Sequence, residues 1–319
     1  MFLIILLLLI GLAILVSGGE VMVRGSASLA RKMKISPLVI GLTVVAFGTS
    51  APELVVNIFS ALRGSADIAI GNIIGSNISN IFLILGVCGL IRSLKVQSNT
   101  VWKEIPLALL SVFLIFIMGN DALLDNANFN ILSRTDGLAL MSFFFIFIYY
   151  AYGMVKKDKQ QQEGKVKEYS LLISLILTIL GIIGLFYGGK LLVDNAIILA
   201  RLAGMSEALI GLTIVAIGTS LPELATSVIA TLHGQDDIAI GNIIGSNIFN
   251  AFWILGLTAT ILSLPFNATV NFDVGINILA ILLLFGFMFT HHRHKLNRWQ
   301  GLVFVLLYVS YLAFLIQRG

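Results

Sequence analysis

IGLTVVAFGTSAPELVVNIFSALRGSADIAIGNIIGSNISNIFLILG (residues 40–86) recurs 170 positions later as IGLTIVAIGTSLPELATSVIATLHGQDDIAIGNIIGSNIFNAFWILG (residues 210–256). The two stretches align without a gap and are identical at 31 of 47 positions. Within them, DIAIGNIIGSNI at 67–78 matches 237–248 at all 12 positions, a motif too varied for low complexity to explain. Both copies are apolar enough to cross a bilayer. Both also carry Gly, Pro, Ser, Thr, Asn and a Glu, and intramembrane acidic residues are rare without a task.

The chain of 319 residues is 58% hydrophobic and 11% charged. A soluble domain carries about 25% charged residues, so this chain lacks the polar groups to cover a globular surface. An ordinary cytosolic enzyme is excluded. A bilayer-spanning helix takes about 20 apolar residues. Apolar runs of that kind lie near 2–23, 37–61, 68–91, 105–120, 137–155, 170–188, 207–232, 238–263, 273–290 and 300–316. Their continuity argues against a β-barrel, whose strands alternate in short segments. The expected class is an all-α polytopic membrane protein with ten transmembrane helices. Residues 2–16 look like a secretory leader, but no basic segment precedes them and no A-x-A site follows, so they read as a retained first span. The lone cysteine, Cys88, lies inside an apolar run and reads as a small buried hydrophobe, with no intrachain disulfide possible.

The polar stretch KKDKQQQEGKVKE at 156–168 separates five runs from five. The expected organisation is a first five-helix repeat at 1–155, a basic linker at 156–169 and a second five-helix repeat at 170–319. Because five is odd, the second copy enters the membrane from the opposite side. The result is a five-plus-five inverted-topology repeat, an arrangement typical of secondary transporters with sites near the midplane between repeats. Of the 20 Lys and Arg, fifteen fall in odd-numbered loops and five elsewhere. The positive-inside rule then puts the odd loops in the cytoplasm and both termini outside. The net charge of +4 therefore speaks to orientation and not to nucleic acid.

Glu53 and Glu223 each sit about halfway along an apolar span. A central acidic residue costs roughly 2.5–3.5 kcal/mol on insertion scales, so two at equivalent positions demand a function. Thr49 and Thr219 lie four residues earlier on the same helical face, and Ser50 and Ser220 three earlier. Pro52 and Pro222 remove a backbone donor and Gly48 and Gly218 loosen the chain, which predicts a break near Ala46–Ser50 and Ala216–Ser220. Carbonyls released by a break must be satisfied, and a cation satisfies them. The second part of each box adds Ser76 and Asn80, then Ser246 and Asn250, spaced i, i+4. Every candidate ligand is an oxygen, and the boxes contain no His or Cys. Hard cations choose such ligands, Ca²⁺ before Mg²⁺, which dehydrates reluctantly. Two carboxylates supply −2, which one Ca²⁺ neutralises, and several Na⁺ ions can use the same oxygens instead. Mutually exclusive occupation of shared ligands produces exchange. Gly71 and Gly75, like Gly241 and Gly245, form GxxxG pairs and read as helix-packing faces.

GTSAPE (48–53) and GTSLPE (218–223), each followed by GNIIGSNIxN, resemble the two α-repeats of the calcium/cation antiporter superfamily, and its prokaryotic inner-membrane sodium/calcium exchangers most of all. The resemblance covers the whole chain. It implies a central core of spans two, three, seven and eight, with long tilted spans one and six able to slide. It also implies that Glu53 and Glu223, with the carbonyls of Thr49 and Thr219, hold calcium. Ala46, Ser50, Ser76, Ala216, Ser220 and Ser246 resemble sodium ligands, with Asn80 and Asn250 beside the central position. The implied activity is electrogenic exchange of several Na⁺ for one Ca²⁺ by alternating access in the lipid bilayer. These ions are substrates, and no cofactor is implied. Asn250 stands where potassium-dependent and some archaeal members carry Asp, which predicts transport without K⁺. The linker at 156–168 is too short for the regulatory calcium-binding domains of animal exchangers.

Two other readings compete. A Ca²⁺/H⁺ antiporter on the same fold is allowed, because carboxylates carry protons, but the neutral hydroxyls favour Na⁺. A cation channel is a different class, and an enclosed site within an inverted repeat argues against it. No nucleophile–base set or phosphate loop indicates an enzyme. HHRH at 291–294 reads as a basic loop, and no protein or nucleic-acid partner is indicated.

Overall fold

The structure, a computed structural model, describes residues 2–157, 169–202, 204, 216–290 and 294–318. In chain order its main helices are α1 (Phe2–Met33), α2 (Pro37–Thr49), α3 (Ala51–Leu62), α4 (Ala66–Ile91), α5 (Thr100–Met118), α6 (Arg134–Lys157), α7 (Leu171–Leu202), α8 (Ala216–Thr219), α9 (Leu221–Leu232), α10 (Asp236–Ile261), α11 (Ala268–Phe287) and α12 (Arg298–Arg318). Among the described residues eight helices are long and apolar enough to cross a bilayer, and the pair α2–α3, bent by 45°, makes a ninth span. The seventh expected span, 207–232, is represented by α8 and α9. Its first part lies outside the described residues, as do linker residues 158–168 and the first three residues of HHRH.

Helices α1 and α7 run past the apolar stretches that suggested them, which end near 23 and 188. Each has 32 residues, or about 48 Å at 1.5 Å per residue, against a hydrocarbon core of about 30 Å. Where they leave the apolar stretches, charges four residues apart pair on the helix surface, Glu20 with Arg24 at 2.5 Å and Lys190 with Asp194 at 2.7 Å, and the packing of the two helices continues at Gly25 against Thr178 and Gly11 against Leu192. The two helices lie antiparallel with glycines at the crossing. A Cβ at Gly18 would come within 2.7 Å of the Leu185 amide, and one at Gly188 within 2.4 Å of the Leu15 amide. Close backbone approach is how helices associate where no hydrophobic drive exists between them.

The buried axis of the molecule is α4 and α10, 78% and 94% buried over their apolar windows, against 22–39% for the other long helices. They belong to one apolar cluster with α5, α6, α11 and α12, while α1 and α7 contribute to a second. The Gly241/Gly245 face packs on α2, with an added Cβ at Gly245 only 2.7 Å from the Leu42 carbonyl, whereas the expected packing face at Gly71 and Gly75 is not found, since a Cβ at either would meet nothing within 4 Å. Helices α3 and α9 end in equivalent turns at Gly64 (φ +76°) and Gly234 (φ +72°). There Ser65 and Gln235 amides reach back to the Ser60 and Ala230 carbonyls, which closes the hairpins into α4 and α10. Both buried helices widen into π-helical turns, at Ser79–Leu85 and Phe249–Leu255.

The repeat extends beyond the stretch that sequence identity marks. Strand β1 (Leu94–Lys95) pairs antiparallel with β4 (Lys295–Leu296), and β2 (Ile131–Leu132) with β3 (Leu264–Pro265). Leu94 and Leu264 are equivalent positions of the two repeats, so one ribbon is the inverted copy of the other. The helix crossings repeat likewise: a Cβ at Gly301 would sit 2.7 Å from the Gly86 carbonyl, and one at Gly137 2.6 Å from that of Gly256. The ribbon of β1 and β4 gathers Arg92, Lys95, Lys295 and Arg298 at one end of the bundle, while Asp121, Asp125 and Asp136 flank β2 near the other ribbon.

The glycine crossing can be tested by a pair of substitutions. Gly188→Ala should destabilise the protein in detergent by about 1–3 kcal/mol through overpacking. Gly275→Ala, where nothing lies within 4 Å, should be neutral or gain up to about 1 kcal/mol of helix propensity. Thermal unfolding of both variants checks this.

Candidate cation site

Ser50 (φ −83°, ψ 7°) and Ser220 (φ −85°, ψ 3°) sit at the two helix breaks, in the sparsely populated bridge region. The breaks fall where Pro52 and Pro222 withhold an amide from the preceding turn. They place Glu53 and Glu223 in the first turns of α3 and α9, pointing into the bundle, each 1% exposed. Glu53 lies within electrostatic reach of Glu223.

Each carboxylate is held by hydroxyls. Ser76 Oγ donates to Glu53 Oε1 at 3.4 Å, and Ser246 Oγ to Glu223 Oε1 at 3.3 Å. Bonds also cross between repeats: Ser50 Oγ donates to Glu223 Oε1 at 3.0 Å, and Ser220 Oγ to Ser76 Oγ at 3.4 Å. Thr49 Oγ1 donates to Asn242 Oδ1 at 3.0 Å, and Thr219 Oγ1 to Asn72 Oδ1 at 3.4 Å. Ala46 lies one turn before the break, and its carbonyl accepts from the Ser50 amide at 3.0 Å and from Thr49 Oγ1 at 3.3 Å. Ala216 opens α8 on the other side. Asn80 and Asn250, each 1% exposed, lie in the π-helical turns of α4 and α10.

Four acceptor atoms in this network have no partner: Glu53 Oε2, Glu223 Oε2, Asn80 Oδ1 and Asn250 Oδ1. Buried polar groups are normally hydrogen-bonded, and orphaned ones mark an ion, a water or a functional strain. Here all four are oxygens, two of them on carboxylates. Among the described residues no three His, Cys, Asp or Glu gather anywhere. A cation at this place is met by two charges and otherwise by neutral oxygens, a hard-cation set.

The structure thus brings both halves of each sequence box to one buried place. It also enlists residues that the sequence reading passed over. Asn72 and Asn242 hold the threonine hydroxyls of the opposite repeat. Asn77 and Asn247 bind each other across the centre, each Nδ2 donating to the other's backbone carbonyl at 3.3 Å. Ser227 accepts from Asn242 Nδ2 at 3.0 Å. Four of these five lie in the 12-residue identity, which signals their importance but does not rank them.

An inverted pair of helical repeats with a buried oxygen site between them defines a class, the secondary transporters of hard cations. Comparison with known proteins specifies it further. Residues 3–153 and 173–317 match the family described as sodium/calcium exchanger protein, and the chain belongs to that family. It is 32% identical over 349 residues to the sodium/calcium exchanger MaX1 of Methanosarcina acetivorans, covering 97% of each chain. It is 36% identical over 264 residues to the inner membrane protein YrbG of Escherichia coli, covering 80% of this chain and 79% of that one. A solved structure of the sodium-calcium exchanger NCX_Mj, soaked with 10 mM Na⁺ and zero Ca²⁺, matches with a TM-score of 0.83 at 35% identity, over 98% of both chains. The chain is an integral membrane cation/calcium exchanger of the NCX_Mj type and not an enzyme.

The two carboxylates make opposite contributions with and without a cation. Glu53→Gln and Glu223→Gln each remove a buried charge, and a charge taken out of water costs several kcal/mol. The cation-free variants should melt at the same temperature as the parent or higher. Added Ca²⁺ should raise the parent's melting temperature, because it binds the folded state only, and should leave both variants unmoved. A calcium-dependent shift of parental size in either variant would remove that glutamate from the site.

Proposed function

We propose that this protein exchanges several Na⁺ for one Ca²⁺ across the membrane by alternating access, electrogenically and without K⁺. The observation that carries the proposal is the set of unpartnered oxygens on Glu53, Glu223, Asn80 and Asn250 between two inverted repeats. Glu53 and Glu223, with the carbonyls of Thr49 and Thr219, hold Ca²⁺. Ser50, Ser76, Ser220 and Ser246, with Ala46 and Ala216 and the amides of Asn80 and Asn250, hold Na⁺ or complete the central position. The glutamates serve both ions, so occupation by one excludes the other. Helices α1 and α7, packed together through their glycine crossing, move as a unit past the fixed site.

Charge bookkeeping supports independence from K⁺. Asn250 and its counterpart Asn80 coordinate without adding charge, so the site's −2 is matched by Ca²⁺ alone. A companion K⁺ would leave a net positive charge in a buried place. The basic ribbon of β1 and β4 favours an inner membrane orientation with that face in the cytoplasm and both termini outside.

Proteoliposomes with imposed ion gradients test the proposal. An outward Na⁺ gradient with the proton gradient collapsed should drive ⁴⁵Ca²⁺ uptake equally well with choline or K⁺ as the balancing cation. Uptake driven only by a proton gradient would identify a Ca²⁺/H⁺ antiporter instead, and strict dependence on K⁺ would contradict the role given to Asn250. Carboxylate ligands must be deprotonated to bind a metal, so uptake should fall as the pH is lowered from mildly alkaline to mildly acidic.

A further inference from the structure

The centre of the site holds an asparagine quartet from both repeats. Asn77 and Asn247 exchange amide-to-backbone bonds, each Nδ2 donating to the partner's main-chain carbonyl at 3.3 Å. Asn80 Nδ2 donates to Asn247 Oδ1 at 2.9 Å, and Asn250 Nδ2 donates to Asn77 Oδ1 at 3.0 Å. Asn77 and Asn247 are fully buried, and the other two nearly so. Asn80 Oδ1 and Asn250 Oδ1 have no partner.

An asparagine amide has one oxygen face and one NH₂ face of nearly equal shape. Facing a cation, the oxygen attracts and the NH₂ group repels. Nothing in Asn80 or Asn250 itself selects between these orientations. The bonding sequence selects. A backbone carbonyl only accepts, so the end of Asn247 that faces the Asn77 carbonyl must be Nδ2. Its Oδ1 is then presented to Asn80, which must answer with Nδ2. The only face Asn80 has left is Oδ1. The same chain of obligation runs from the Asn247 carbonyl through Asn77 to Asn250.

We infer that Asn77 and Asn247 are positioning residues that hold the amides of Asn80 and Asn250 oxygen-first toward the transported cation. The inference rests on the exchanger reading above and adds to it two residues that touch no ion. It also accounts for why the quartet spans both repeats. Each orienting bond starts from the main chain of one buried helix and ends on a ligand of the same helix, after passing through the other repeat's side chain. The oxygen faces are therefore set only when α4 and α10 are in register at the centre.

A double-mutant cycle on calcium binding tests this. The solubilised full chain is titrated with ⁴⁵Ca²⁺ in sodium-free buffer, and folding is followed by thermal unfolding. Asn247→Leu, close in shape but without an acceptor, frees Asn80 to turn its NH₂ group inward. It should weaken calcium binding by about tenfold or more, the usual effect of losing a residue that orients a metal ligand. In an Asn80→Asp background the same substitution should leave calcium affinity unchanged, because a carboxylate presents oxygen whichever way it turns. Asn77→Leu crossed with Asn250→Asp reads the same relation from the other repeat, and it serves where Asn247→Leu does not fold. Equal losses in both backgrounds would show that the quartet only packs the helices, and no loss in the Asn background would remove the orienting role. The parent chain separates this inference from its premise. Calcium binding by the parent with additive losses in the cycle overturns the inference alone, whereas a parent that binds no calcium overturns the exchanger reading and the inference with it.

Discussion

Glu53 and Glu223 are both buried, Glu53 within electrostatic reach of Glu223, and among the described residues no basic side chain is found to offset them. The groups around them are hydroxyls and the local backbone, and Glu53 also feels the charge of Glu223. A site with −2 in a low-dielectric interior is unfavourable until a cation arrives. That constraint explains much of the scaffold. The carboxylates need rigid helices on every side, so α4 and α10 are the most buried elements of the fold. The hydroxyls of Ser50, Ser76 and Ser246 give the carboxylates weak, neutral solvation, and Ser220 donates in turn to Ser76. A lysine or arginine in their place would neutralise the site permanently and end transport. An exchanger has to keep its binding site in need of a ligand.

The inverted repeat solves a second problem, because one site must serve two sides of a membrane. Hydrogen bonds pass between repeats: Ser50 of one reaches Glu223 of the other, and Thr49 and Thr219 are held by asparagines of the opposite copy. Neither half can form a complete site alone. The paired ribbons at the two ends of the bundle tie the halves together where the loops turn, Leu94 to Leu296 and Leu132 to Leu264. The long helices α1 and α7 carry no described strand ribbon: their glycine crossing joins them to each other, and α1 meets α9 and the start of α10 through side-chain packing.

Much of this was legible before any coordinates. The duplicated motif, the count of apolar runs and the intramembrane glutamates marked the inverted repeat and the class, because hydrophobic length and charge in a bilayer are strong signals. The extension of α1 and α7 was not legible from hydropathy, which stops at Arg24 and Lys190. Pairing at i, i+4 is a local interaction that a hydropathy average discards. The π-helical turns that carry Asn80 and Asn250 have no composition of their own. The two-residue strands are too short to show alternation, and tertiary contact alone makes them. Asn72, Asn77, Asn242 and Asn247 stood in plain view within identical sequence, but perfect identity between copies gives no contrast from which to separate a ligand from the residue that orients it.

Where the copies differ, the symmetry of the site is incomplete. Asn57 and Ser227 occupy equivalent positions. In the second repeat Ser227 accepts from Asn242 Nδ2 at 3.0 Å, so the asparagine that holds Thr49 is itself anchored. In the first repeat Asn57 instead turns its Nδ2 to the Glu53 carbonyl at 3.2 Å. Its own Oδ1 and the Nδ2 of Asn72 are then left buried without partners, an acceptor and a donor that do not meet. The hold on Thr219 is correspondingly longer, 3.4 Å against 3.0 Å for Thr49. An unmade hydrogen bond in a buried place costs about 1–3 kcal/mol, so the two arms of a nearly symmetric site are not held equally. A strictly symmetric exchanger would present identical energetics to both sides of the membrane. The exchange of Ser227 for Asn57, one turn beyond the glutamate, leaves the two arms of this network unequally anchored.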